Sequence, residues 1–275
     1  MNLPRAPNSL ALVNLIRWCG VLLGPPRAHP PRPETRAIVA CLFLVVLSLA
    51  SMFVLDAAAS DWAQRLPLWF NGAFERITDF GLSGWFLFPL GFALLCLAAT
   101  ISPALSRRAQ GVLAMLTVRF GFLFLAIGVP GLFVTIVKRL IGRARPFVGG
   151  HEDPFAYMPF IWRPEYASMP SGHATTAASA AIAIGAIWPR ARGVMWVYAL
   201  VIMFSRVVVL AHHPSDVIAG GLVGVVGAAL VRRWFAARGL LFSTTDLRVF
   251  PWPSLNRVKA AFHEVCAGAG GSHKS

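Results

Sequence analysis

The feature that most constrains this chain is a succession of apolar runs, each close to the length needed to cross a bilayer, joined by short polar or basic segments. A transmembrane helix needs about 20 apolar residues, with a range of roughly 17–25. Runs of that kind lie at Ala37–Ala57, Leu82–Ile101, Val112–Val137 and Val194–Ala211. Two shorter runs, Ala174–Trp188 and Val217–Val231, are rich in Ala and Gly. Their small residues repeat at four-residue spacing (Ala177, Ala181, Gly185; Gly220, Gly224, Ala228), the pattern that lets helix backbones approach closely inside a bundle. The expected fold is all-α, a polytopic membrane bundle of six transmembrane helices with interfacial amphipathic helices beside it. Composition agrees: 13% of residues are charged, about half the share usual in soluble chains.

A formal net charge of +14 raises the question of nucleic acid. The basic residues are dispersed between apolar runs, with no Lys/Arg stripe and no nucleic-acid module, so no nucleic-acid partner is expected. They instead orient the chain. With both termini placed in the cytoplasm, sixteen Lys and Arg fall inside and seven outside, the bias of the positive-inside rule. Five of the outer seven (Lys138, Arg139, Arg143, Arg145, Arg163) share one loop, an exception that calls for a functional reason. Residues 1–36 then form a cytoplasmic segment with an interfacial helix, 37–235 the six-helix membrane domain and 236–275 a cytoplasmic tail. Within the tail, 254–265 (SLNRVKAAFHEV) reads as a capped amphipathic helix ahead of a Gly/Ser-rich, disordered end. The 58–81 loop spaces Trp62, Leu66, Trp69, Phe70, Phe74 and Ile77 like the apolar face of a helix in the headgroup region, an aromatic anchor. Four cysteines lie far apart, with no C-x-x-C pair, so neither a metal site nor a disulfide framework is expected.

Three short motifs fall on the outer side. They are Lys138-x6-Arg145-Pro146, then Pro170-Ser171-Gly172-His173, then Ser205-Arg206-x5-His212-x3-Asp216. A phosphate monoester needs donors around its non-bridging oxygens, and Lys and Arg supply charge-assisted ones. Lys138 and Arg145, seven apart, share a face if the segment is helical throughout. Ser171 and Gly172 precede a helix whose free N–H groups favour an anion. Arg206 is set about five residues below the outer end of an apolar helix, where it needs an anionic partner. His212, oriented by Asp216 four residues on, is placed to attack phosphorus. His173, on a separate segment, is free to act as general acid and then general base. His213 is read as a bystander, Arg139 and Arg143 as headgroup-facing with a second phosphate as the alternative contact of either, and Arg119 inside the third span has no assigned role. The 147–169 segment, acidic and aromatic, is the candidate substrate lid.

Each residue alone has a plainer reading: a snorkelling cation, a solvated His, a helix cap. Together, K-x6-RP, PSGH and SR-x5-H-x3-D resemble the signature of the type 2 phosphatidic acid phosphatase family across about 80 residues, Lys138 to Asp216. The resemblance implies His212 as nucleophile, Asp216 as its partner and His173 as acid/base. It implies that Lys138, Arg145, Ser171, Gly172 and Arg206 hold the phosphate, with no cofactor and no metal. The family also includes soluble vanadium-dependent haloperoxidases, a branch that six spans argue against. The implied protein is a lipid phosphatase with its active site on the periplasmic face of a bacterial inner membrane. Lipid A 1-phosphate, undecaprenyl diphosphate and a glycerophospholipid phosphate are the competing substrates. The expected partners are that substrate and membrane lipids, with no obligate protein partner. A lipid phosphotransferase and a lipid-binding or transport protein with a relic site are the alternatives.

Overall fold

A computed structural model describes residues 7–271, with side chains for 10–267. Ten α-helices follow one another: α1 (Pro7–Leu23), α2 (Thr35–Val54), α3 (Asp56–Gln64), α4 (Leu68–Asp79), α5 (Gly84–Thr100), α6 (Arg107–Ile141), α7 (Gly172–Ile187), α8 (Arg192–Val208), α9 (Pro214–Ala237) and α10 (Leu255–Gly271). The described residues include no strand, and the protein is all-helical and membrane-embedded, as its apolar runs require. Five segments are long and apolar enough to cross a bilayer: Thr35–Val54, Leu68–Thr100, Arg107–Ile141, Pro189–Val208 and Pro214–Ala237. The remaining expected span, Ala174–Trp188, corresponds to α7, which at 16 residues is shorter than that length. Twelve of the 16 residues of α7 are buried and none is exposed, so it packs against protein along its whole length. The apolar exterior is carried elsewhere, by residues such as Phe53, Phe88, Phe92 and Leu132, each more than half exposed.

The chain divides into two compact units. One contains residues up to 31, 88–124 and everything from 232 onward. Its core joins Leu97, Val112, Leu113 and Leu116 to Ala261 of α10. Phe122 meets Phe235 and Phe242 at ring-centroid distances of 5.4 and 4.8 Å. Arg119, left without a role by the sequence, is buried here: it donates to the carbonyls of Phe250 (2.8 Å) and Pro251 (2.9 Å) and lies over the Trp252 ring. It ties down the segment leading to α10. That helix opens one residue after Ser254 and runs on to Gly271, past the expected boundary at 265; residues 272–275 of the Gly/Ser-rich end lie outside the described part.

The other unit, 32–87 with 125–231, holds the site. The small-residue repeats do what their spacing implies. A Cβ on Gly220 would stand 2.4 Å from the Ser171 carbonyl oxygen, and one on Gly224 2.5 Å from that of Thr175, so α9 and α7 touch backbone to backbone. Thr175 Oγ1 bridges the contact by donating to the carbonyls of Ser171 and Gly220, both at 2.9 Å. On its other side α7 packs Ala177 and Ala181 against Ala199 and Ile202 of α8.

Candidate active site

Four helix ends converge on the three motifs. Lys138 lies in the last turn of α6 and Arg206 in the last turn of α8, where cations suit the negative end of the dipole. Ser171 caps α7 and His173 follows in its first turn, while Asp216 sits in the first turn of α9. Arg206 is therefore at its helix end and not five residues deep, because α8 stops at Val208 and the chain turns through Leu210 (φ 54°) into His212. Nor are Lys138 and Arg145 on one helix. α6 stops at Ile141, and Gly142 at φ 63° reverses the chain so closely that a Cβ there would stand 1.9 Å from the Met158 carbonyl oxygen. Arg145 reaches the site from the loop beyond.

The predicted phosphate-binding and catalytic groups nevertheless gather. Arg206, His212, Lys138 and Arg145 all act electrostatically on His173, and the Lys138 Nζ is 3.8 Å from where a Cβ on Gly172 would be. Arg206 donates to Thr78 Oγ1 at 2.6 Å, and its Nε, like the Nε of Arg145, has no partner among the described residues. Burial lowers the affinity of Arg145 for its proton, partly offset by Glu165 and Asp216. Ser171 differs from the sequence reading. Its amide already donates to the Asp216 carbonyl (3.0 Å) and its hydroxyl caps the Ala174 amide (3.5 Å). The amides of Gly172 and His173 remain as first-turn groups without intrahelical acceptors. A cavity of about 390 Å³ opens beside them, lined by Lys138, Gly172 and His173 at one end and by Leu82, Leu87 and Leu132 along its apolar wall.

Asp216 is held on both of its oxygens. Its Oδ1 accepts from Arg143 (2.6 Å), and its Oδ2 accepts from Ser168 Oγ (2.5 Å) and the His213 amide (2.9 Å). His212 Nδ1 is 3.8 Å from Oδ2, close but beyond a hydrogen bond, and it has no other partner among the described residues. Burial pushes His212 down to about 4, opposed by the Asp216 carboxylate and assisted by Arg206 and Arg145. It is neutral at ordinary pH.

Two residues that the sequence placed outside the candidate site are central. Arg143 is not headgroup-facing: it is fully buried and joins Asp216 to Asp56 (2.8 Å) and to the Pro154 carbonyl (2.8 Å). The Asp56 and Asp216 carboxylates outweigh its burial and raise its pKa further. His213 is closer to Asp216 than His212 is, with Nδ1 3.4 Å from Oδ2, and its Nε2 meets Glu152 at 2.8 Å. Burial lowers the His213 pKa, but Asp216 and Glu152 more than compensate and it ends raised. Asp56 and Thr78 escaped sequence reading altogether. The signal for Asp56 was available, as an acid at the end of the first apolar run. Among the described residues no three His, Cys, Asp or Glu side chains are gathered as a metal site needs.

The PAP2 superfamily profile matches residues 119–240, which contain all three motifs. A lipid A 1-phosphatase of Rhizobium johnstonii is 33% identical over 222 residues, 80% of this chain and 88% of the relative. The lipid A 1-phosphatase of Rhizobium etli is 33% identical over 229 residues, 80% and 93%. A decaprenylphosphoryl-5-phosphoribose phosphatase of Mycobacterium tuberculosis is 35% identical over 98 residues, 35% of this chain and 50% of that one. A crystal structure of a PAP2-type phosphatidylglycerolphosphate phosphatase from Bacillus subtilis covers 82% of this chain and 94% of its own at 19% identity; its TM-score of 0.39 carries no weight. With the profile match and relatives aligned over most of their length, the chain belongs to the PAP2 superfamily.

Proposed function

We propose that this protein is a lipid phosphatase that removes the 1-phosphate of lipid A, working through a phosphohistidine at the outer face of a bacterial inner membrane. The observation that carries this reading is the convergence of Lys138, Arg145 and Arg206 on His173, with Arg145 and Arg206 acting on His212 as well. Three cations and two imidazoles on one spot suit a phosphoryl group undergoing transfer, whereas a binding protein needs only the cations. The apolar wall beside Lys138 and His173 gives acyl chains a place next to the phosphate. The choice of lipid A over undecaprenyl diphosphate or a glycerophospholipid phosphate leans on the two relatives that span most of this chain.

The chemistry runs in two steps. His212, with Nδ1 toward Asp216, attacks phosphorus through Nε2, and the bond from phosphorus to the sugar oxygen breaks. The leaving alkoxide takes a proton from His173. His173 then accepts a proton from water as that water attacks phosphorus, the P–N bond breaks, and phosphate departs with His212 restored. His213 is a poorer nucleophile because both of its nitrogens face carboxylates. Purified protein in detergent, offered lipid A, undecaprenyl diphosphate, phosphatidylglycerol phosphate and phosphatidic acid, should release phosphate from lipid A, and His212→Ala should release none. Release from another lipid alone would overturn the substrate, and an active His212→Ala would overturn the mechanism.

A further inference from the structure

Asp56 opens α3, some 160 residues before the motif it serves, and all its bonds are inward. Its Oδ1 accepts from Ser51 Oγ (3.1 Å) and the Ser215 amide (3.0 Å), and its Oδ2 from Arg143 (2.8 Å) and Ser215 Oγ (2.5 Å). Arg143 spends its other donors on Ser215 Oγ (2.7 Å), Asp216 Oδ1 (2.6 Å) and the Pro154 carbonyl. Asp56, Arg143, Ser215 and Asp216 are all fully buried. Neither Asp56 nor Arg143 touches the open cavity.

Stability is a weak reason to keep such a cluster. Two carboxylates and one guanidinium leave a net negative charge out of water, and well-packed apolar residues often hold a core as firmly. Geometry gives a better reason. A carboxylate turns freely about its last bond unless both oxygens are held, and an unheld Asp216 has several donors to follow: Ser168, the His213 amide and two imidazoles. Arg143 fixes Oδ1, which leaves Oδ2 facing the histidines. Asp56 in turn fixes Arg143, whose two terminal nitrogens are each committed to a different carboxylate.

From this we infer that Asp56 and Arg143 are positioning residues for the phosphatase reaction, acting through Asp216 to hold His212 in its attacking orientation. The inference rests on the function proposed above. Asp56→Asn keeps the shape of the side chain and removes its charge. It should lower kcat by up to about a hundredfold, the scale of an ångström's misplacement, and leave KM within about twofold because neither residue contacts the phosphate. Asp56→Glu, which keeps the charge, should recover part of the loss.

The discriminating measurement is a cycle with Asp216→Asn. If Asp56 works only through Asp216, then Asp56→Asn added to Asp216→Asn changes kcat less than about twofold. Should Asp56→Asn fail to accumulate in membranes, Ser215→Ala cuts one bridge between Asp56 and Arg143 and serves the same cycle, with a loss of about severalfold expected. Wild-type kcat in Asp56→Asn, or the full loss repeated in the Asp216→Asn background, would overturn the inference and leave the phosphatase standing. A wild-type protein that releases no phosphate from any lipid of the panel takes both down.

Discussion

At the scale of single residues, two groups set what the site can do. In the proposed mechanism His212 must be neutral to attack phosphorus, and its pKa lies at about 4. Because that value sits below the ordinary one, the nucleophile stays competent as pH falls from 7 to 5 and is lost only as pH drops through about 4. The acid limb of kcat/KM attributable to His212 should therefore lie near 4; a limb near 6.5 would mean an unperturbed imidazole does the work. Thr78 is the second group. Its hydroxyl accepts from Arg206 (2.6 Å) and from Ser205 Oγ (3.0 Å), fixing a guanidinium whose Nε is otherwise unpartnered among the described residues. Thr78→Val keeps the shape and removes the acceptor. Losing a hydrogen bond to a charged group costs about 1.5–3 kcal/mol, so kcat/KM should fall by roughly ten- to a hundredfold, and steady-state kinetics on the preferred lipid checks it. Unchanged kinetics would show that Arg206 needs no aim from α4.

At the scale of elements, the loop between α6 and α7 is a built structure more than a free lid. Its backbone is pinned where Ala144 donates to Ala156 (2.9 Å), Met158 to Gly142 (2.7 Å), Arg145 to Glu165 (2.8 Å) and Ser168 to Arg143 (3.1 Å). Glu152 adds a side-chain clamp onto His213. The His213 pKa is raised above its ordinary 6.5, so the clamp is at full strength below that value and weakens as pH rises through the raised one. Amide exchange across 147–160, corrected for intrinsic rate, should be faster at pH 9 than at pH 6, and Glu152→Gln should remove the difference. The α7–α9 contact makes a second expectation. Gly220→Ala would drive a Cβ against the Ser171 backbone, which has no flexible end to yield, at about 1–3 kcal/mol; a thermal midpoint in detergent equal to wild type would refute it. That contact was legible from four-residue repeats of small residues, as five of the six expected spans were from apolar runs and the tail helix from its amphipathic pattern. The motif histidines and cations were legible too, since each carries a type and a spacing. Arg143 was not, because nothing local in a sequence distinguishes a loop arginine facing headgroups from one folded inward onto a carboxylate; Asp56 did leave a signal, as an acid at the end of an apolar run, but not its partner. The premise that 138–145 is helical failed at Gly142, where a positive φ ends α6.

At the scale of the whole molecule, orientation is what the folded chain leaves to its charges. Proteins of this composition are inserted with the basic side retained in the cytoplasm, and sixteen Lys and Arg against seven favour termini inside. The expectation is sharpest where it runs against local charge, because it puts the site's own cations on the side that should be poor in them. Lys138, Arg145 and Arg206 are accounted for by convergence on His173, and Arg143 by two carboxylates; on the proposed function the first three balance a phosphate, and none of the four need be read as a retention signal. Single-cysteine labelling separates the alternatives, since the four native cysteines are free. With three of them replaced, the exposed Cys266 of α10 reports the C-terminal side; with all four replaced, His151→Cys in the exposed part of the α6–α7 loop reports the site's side. In spheroplasts a membrane-impermeant maleimide should label position 151 at once and reach position 266 only after lysis. The reverse pattern would place the site in the cytoplasm, where a substrate exposed on the outer leaflet could not meet His212, and the proposal for lipid A would fall with the orientation.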